Sequence, residues 1–157
     1  MSDLFLHWRS ALWAADLVVT DGGDLLLDGG LETAVTLSLF TDARADDDDA
    51  LPAGAGTDRR GWWGDALPMI DGYRLGSRLW LLSREKITAR TLERAKHYAE
   101  EALAWMIPSG LAKAVTVTVD RTDSDGLGLH VTITRPDGEV SYRYDQVWQA
   151  QSEKEAA

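Results

Sequence analysis

The chain has 157 residues, 45% of them hydrophobic and 27% charged, with 16 Lys+Arg against 26 Asp+Glu for a formal net charge of −10. Those values suit one globular domain and exclude a disordered or fibrous chain, and the acidity argues against nucleic-acid or anionic-membrane partners, which need a basic face. Cysteine is absent, which excludes disulfides, thiolate metal sites and a thiol nucleophile.

The acid is concentrated at the front. Residues 1–58 hold 12 acids and two bases, Arg9 and Arg44, whereas residues 59–157 hold 14 of each. The start of the chain has no basic stretch ahead of an apolar one, so it does not read as a secretory signal. No apolar run approaches the ~20 residues a membrane span needs. Synthesis in a reducing cytoplasm is the expectation.

In chain order, residues 16–20 read as extended. Asp21-Gly22-Gly23 reads as a turn, since Asp and Gly accept the positive φ of tight hairpins. Leu25-Leu26-Leu27 and a second turn at Asp28-Gly29-Gly30 follow. Residues 33–40 alternate Val35, Leu37 and Leu39 with Thr36 and Ser38, which predicts a strand and makes the first 40 residues a small β-meander. Residues 41–61, with Asp46–Asp49 at their centre, read as a long exposed acidic loop. Pro68 to Leu75 reads as irregular. Residues 76–85 suggest a short helix, with Leu75, Leu79 and Leu82 near helical spacing. Thr88, or Thr91, is placed to cap an amphipathic helix in which Leu92, Ala95, Ala99, Ala102, Leu103 and Met106 recur at steps of three and four. That helix should end before Pro108. Val115/Val117/Val119, Leu127/Leu129/Val131/Ile133 and Val140/Tyr142/Tyr144 then alternate with polar residues, around turns at Asp123–Gly126 and Pro136–Gly138. They predict a three-stranded antiparallel meander whose buried face the helix covers. The expected architecture is α+β, with antiparallel meanders on one long amphipathic helix. It forms a single domain over 1–148, with a polar tail at 149–157.

Motifs for chemistry are lacking. Four adjacent Asp residues do not impose the turn that calcium needs, and setting Gly126 at the sixth position of an EF-hand loop puts Arg121 first and Thr132 twelfth, where ligands are required. His7, His97 and His130 lack metal-ligand spacing, and no His-Glu-x-x-His, Gly-x-Ser-x-Gly or Walker loop is present. We therefore expect no catalytic residues, no cofactor and no metal. The seven tryptophans are more informative. Trp62 and Trp63 stand between glycines beside Arg59 and Arg60, and Trp and Arg are residue types that dominate interfaces. Two readings stay open here: both rings plug the core, or at least one meets a partner. Arg78 and Glu85 are placed to pair with one another or with a partner.

The strings Asp28-Gly29-Gly30-Leu31-Glu32-Thr33-Ala34 and Arg59-Arg60-Gly61-Trp62-Trp63-Gly64-Asp65, continuing through Gly76-Ser77-Arg78-Leu79-Trp80 and the 88–107 helix into the strands, resemble the Mu-like phage tail protein family. The resemblance covers roughly residues 16 to 147. It implies a small baseplate component of a contractile tail. More distantly, the Gly-x-Arg segment, Glu85 and the Glu101-Ala102-Leu103 helix end are similar to small wedge proteins that include the sheath initiator and were once linked to lysozyme activity. The Glu-Pro-Arg usual after that helix is replaced by Trp105-Met106-Ile107-Pro108-Ser109-Gly110. What the resemblance implies is a non-enzymatic wedge subunit, assembling with other wedge proteins and with sheath or tube-proximal proteins, and located in the virion tail. Arg59, Arg60, Trp62, Trp63, Arg78 and Glu85 are the candidate interface residues. The alternatives are a tail-associated peptidoglycan hydrolase using a carboxylate such as Glu85, and a free acidic module that binds a host protein.

Overall fold

The computed structural model describes residues 3–9, 11–12, 14–28, 31–67, 73–122 and 126–145. Residues 1–2, Ser10, Trp13, Gly29-Gly30, Pro68–Gly72, Asp123–Asp125 and everything from Gln146, the expected tail included, lie outside the described residues. The expected second turn, part of the irregular stretch and part of the 123–126 turn fall there.

The described elements run β1 (Asp3–Leu4), β2 (Leu6–Arg9), β3 (Ala14–Leu17), β4 (Leu27–Asp28), α1 (Glu32–Phe40), α2 (Ala89–Leu103), β5 (Ala114–Arg121), β6 (Leu127–Arg135) and β7 (Gly138–Tyr144). Short 3₁₀ turns at Trp63–Ala66, Arg78–Leu82 and Ala104–Met106 join them. The architecture is α+β with antiparallel sheets, as the sequence predicts.

The last third follows its pattern closely. β5, β6 and β7 form an antiparallel sheet in chain order, with Val117 opposite Val131 and Val131 opposite Tyr142. Leu127, Leu129, Val131 and Ile133 on the central strand are all buried, while His130 is exposed on the other face. α2 lies against β5. Its buried side presents Ala95, Ala99, Ala102 and Leu103, and the small residues let the helix axis approach the sheet closely. Thr88 caps α2, its hydroxyl accepting from the Thr91 amide at 3.2 Å. The 3₁₀ turn at Ala104–Met106 ends the helix before Pro108.

Residues 33–40 are a helix, not the expected strand. The Asp28 carboxylate accepts the Thr33 amide at 2.8 Å, satisfying one of the free N–H groups at the start of α1. Glu32 adds negative charge to that first turn. The polar positions that looked like a wet strand face are buried instead. Thr33 accepts from the Leu6 amide and donates to the Leu4 carbonyl, at 3.0 and 2.8 Å. The Thr36 hydroxyl lies 3.3 Å from the Tyr144 phenol, and Ser38 accepts from the Trp105 indole at 3.1 Å. With Val35 and Leu39 buried beside Thr33, Thr36 and Ser38, and Leu37 exposed, the alternation was no sign of a solvent face.

The first 40 residues are consequently not a simple meander. β2 pairs with β3 and β1 with β4, both antiparallel, and an isolated bridge joins Val19 to Leu25. At the junction the amide of Phe5 donates to the Leu26 carbonyl, that of Leu26 to Val18, and that of Val18 to Phe5, at 2.9, 2.8 and 3.3 Å. The core gathers Val35 and Leu39 of α1, Leu79–Leu82, the α2 face and the inner face of β6.

Two outcomes test this packing. Thr88→Ala should lower stability by about 1 kcal/mol in denaturant unfolding, the usual effect of losing a hydroxyl cap. Burial pushes the Tyr144 phenol well above its ordinary value of 10.0, outweighing the opposite effect of its bond with Thr36. The folded state thus holds this proton to higher pH than the unfolded chain, so its contribution is intact below that ordinary value and is lost as pH rises beyond it. Unfolding curves at increasing alkaline pH should fall less steeply for Tyr144→Phe than for the parent chain.

Candidate interaction surface

The candidate residues sort into those that hold the fold and those that face outward. Arg78 opens the 3₁₀ turn whose Leu79–Leu82 are buried, and Ser77 anchors it by donating its hydroxyl to the Leu39 carbonyl at 2.6 Å. From there the guanidinium reaches Asp46 and Asp49 at 2.6 and 3.0 Å and Glu101 at 2.7 Å. It also lies over the Tyr98 ring, 4.8 Å from the centroid. Burial acts to lower its pKa, but the bonds to Glu101 and Asp49 outweigh that and raise it, so the charge is permanent. One side chain therefore ties the Asp46–Asp49 run to α2. The expected pair with Glu85 is not formed. Glu85 pairs with Arg94, which also donates to the Tyr98 hydroxyl at 3.3 Å.

Arg59 and Arg60 likewise bond within the chain. Arg59 donates to the carbonyl of Asp46, and to that of Asp47 at 2.9 Å, fastening the acidic run from its other side. Arg60 pairs with Asp42 at 2.7 Å and lies over the Trp80 ring at 4.4 Å. These contacts hold Arg60 at a φ of +52°, which a non-glycine residue adopts only when its surroundings impose it. Gly61 follows at +107°, where a Cβ would come within 2.9 Å of the Arg44 Cβ. The two left-handed residues turn the chain sharply outward. Asp65 closes the segment by accepting the Leu75 amide at 3.1 Å.

The turn leaves the tryptophans outside. Trp62 folds its ring over Gly64, at a place where any Cβ would collide with it. Trp63 stacks obliquely on Trp62, with centroids 5.5 Å apart. Trp62 is 41% exposed, Trp63 82% and Leu67 85%. Of the two readings of these rings, core plugging is not what the fold shows. The seven-residue motif is a brace of two arginines and an aspartate that presents an apolar shelf.

Two features escape reading from the sequence. A cleft of about 740 Å³ opens between residues 73–78 and the end of α2, with Tyr73 and Trp105 meeting edge-to-face at 5.7 Å in its wall. Its walls are distant in sequence, so no local pattern reveals it. The second is the exposure of Leu25, Leu26 and Leu27. Three consecutive apolar residues break the alternation of a half-buried strand, and that was the available signal. Among the described residues no group of three or more His, Asp or Glu side chains is arranged to hold a metal, and no helix is long and apolar enough to cross a membrane.

This geometry coincides with the span of a known family. Residues 31–140, from the start of α1 into β7, match the family model described as Phage protein GP46. The chain belongs to that family. GP46 relatives match beyond this span as well. Baseplate protein gp46 of Escherichia phage Mu is 49% identical over 143 residues, covering 89% of this chain and 92% of its own length. Mu-like prophage FluMu protein gp46 of Haemophilus influenzae is 38% identical over 143 residues, covering 91% and 94%. The family resemblance seen in the strings at 28–34 and 59–65 is thereby established.

Removing the Arg78 hub should leave Asp46, Asp49 and Glu101 without their shared cation. Arg78→Met is expected to lower stability by about 2 kcal/mol, in the range of lost charged hydrogen bonds. It should also speed hydrogen exchange at the Ala43 and Ala45 amides, which now bond to Ser77 and Arg59 carbonyls.

Proposed function

We propose that this chain is a structural component of a phage-tail baseplate, a wedge subunit of a contractile tail that acts through protein contacts without catalysis. The carrying observation is the 49% identity, across nearly the whole length of both chains, to a protein named Baseplate protein gp46. The geometry supports a part that binds. Arg59, Arg60, Arg78 and Glu85 are engaged within the chain. Trp62, Trp63 and Leu67 are left as an exposed apolar shelf, the kind of surface that a monomer exposes for a partner.

In this reading the arginines act indirectly. They fix the turn that displays the shelf, and the aromatic rings supply the contact, since Trp is enriched among residues that dominate binding energy. Other wedge proteins are the partners, and the protein works in the virion tail after synthesis in the host cytoplasm. β5 and β7 are the two edge strands of the main sheet, and strand addition at such an edge is the contact mode we assign to a sheath or tube-proximal neighbour.

Density-gradient fractionation of a phage lysate, with mass spectrometry of the tail-particle fractions, tests the reading. The chain should appear there in fixed ratio to the other baseplate proteins. Its absence from every particle fraction, with soluble protein abundant, would sink the proposal. Trp63→Ala should reduce incorporation by about tenfold or more, as expected for a central aromatic anchor, with an unchanged thermal midpoint. Equal incorporation of parent and variant would remove the shelf from the interface.

A further inference from the structure

A second set of exposed apolar side chains belongs to the N-terminal segment. Leu12, Leu17, Val19, Leu25, Leu26 and Leu27 are all exposed there. Leu25, Leu26 and Leu27 are 44%, 38% and 59% exposed although they are consecutive in an extended segment. Successive side chains of an extended strand point to opposite faces. A platform that docks on one face would show apolar residues at alternate positions only. Apolar groups on both faces require cover on both sides.

The backbone of this ribbon is pinned at several points. Phe5, Val18 and Leu26 exchange amide hydrogens in a closed ring, and β1–β4 and β2–β3 complete the pairing. The turn at its tip is pinned as well, with the Thr20 amide donating to Asp24 at 2.7 Å and the Asp24 amide to the Thr20 hydroxyl at 3.2 Å. Thr33 of α1 clamps its base through Leu4 and Leu6. The ribbon is therefore preformed, and its exposed leucines are held in place by the backbone.

Its charge is of one sign. No Lys or Arg stands between Arg9 and Arg44. Arg9 is matched by Asp16 at 3.7 Å. Asp21 and Asp24 at the tip are exposed and have no cationic partner among the described residues. We infer that the ribbon of residues 14–27 is a plug that inserts into an apolar groove of another baseplate protein, with that groove contacting both faces of the Leu25–Leu27 segment and carrying Lys or Arg at its rim opposite Asp21 and Asp24. The partner is a different polypeptide, because a second copy would bring the same carboxylates against these. Electrostatic complementarity sets the orientation of entry, and apolar cover of both faces gives the hold. The inference rests on the baseplate reading but not on the tryptophan shelf.

Site-specific photocrosslinking in assembled tail particles tests it. A photoreactive phenylalanine analogue is placed at Leu26 or Leu27, on opposite faces of the ribbon, and at His130 on the sheet as a reference position. The expected result is adducts from both ribbon positions to one and the same other tail protein, at apolar residues with Lys or Arg beside them. Asp21→Lys together with Asp24→Lys should reduce incorporation into particles by about tenfold, with the thermal midpoint retained. Particles that contain the chain but give no ribbon adducts overturn this inference and leave the baseplate reading standing. So do adducts from one face only, adducts to a second copy of the chain, and undiminished incorporation of the double Lys variant. Absence of the chain from the particles overturns both.

Discussion

Three hydroxyls on one short helix connect parts of the fold that are far apart in sequence. Thr33 joins α1 to the N-terminal strands, Thr36 to Tyr144 at the end of the sheet, and Ser38 to Trp105 beyond α2. All three are buried, so each would carry a desolvation cost of about 1–3 kcal/mol if its partner were lost. The helix is thus held by polar bonds inside an apolar core. Trp8 and Phe40 add an aromatic stack at 3.8 Å between centroids, and Phe40 meets Tyr144 edge-on at 5.3 Å. Remove α1 and the N-terminal ribbon, the sheet and α2 lose their common neighbour.

The acidity of the front third is partly an internal feature. Asp42, Asp46 and Asp49 meet Arg60 and Arg78, and the backbone of Asp46 and Asp47 meets Arg59. Cations from the neutral two thirds of the chain thereby fasten a segment with no helix or strand of its own. Asp21 and Asp24, at the tip of the ribbon, have no cationic partner among the described residues. One charge imbalance in the sequence thus has two physical uses, one holding the chain together and one directed outward.

Two groups of exposed apolar side chains stand on different elements, the Trp62–Trp63–Leu67 shelf and the leucine ribbon. Each is set by backbone restraints rather than by burial of its own side chains. The left-handed pair Arg60–Gly61 sets the first, and the closed hydrogen-bond ring at Phe5, Val18 and Leu26 sets the second. Pre-formed contact elements reduce the ordering cost of association, which suits a subunit that acts by assembling.

Elements whose signal is local were legible in the order of residues alone. α2 follows from Ala95, Ala99, Ala102 and Leu103 at helical steps with Thr88 at the cap, and β5–β7 follow from strict alternation with turn residues between. Two short strings carried the family resemblance, and in each an aspartate accepts a backbone amide, Asp28 that of Thr33 and Asp65 that of Leu75. Long-range packing settled α1. Its Thr and Ser positions alternate like a wet strand face, and their burial depends on partners 27 to 108 residues away. It also decided that Arg78 binds Asp46, Asp49 and Glu101 while Glu85 binds Arg94, because charge alone does not select among so many carboxylates. Whether Trp62 and Trp63 point in or out was fixed by the backbone turn at Arg60 and Gly61. That turn is stabilised by Asp42 and Trp80, two side chains that no local pattern links to the motif.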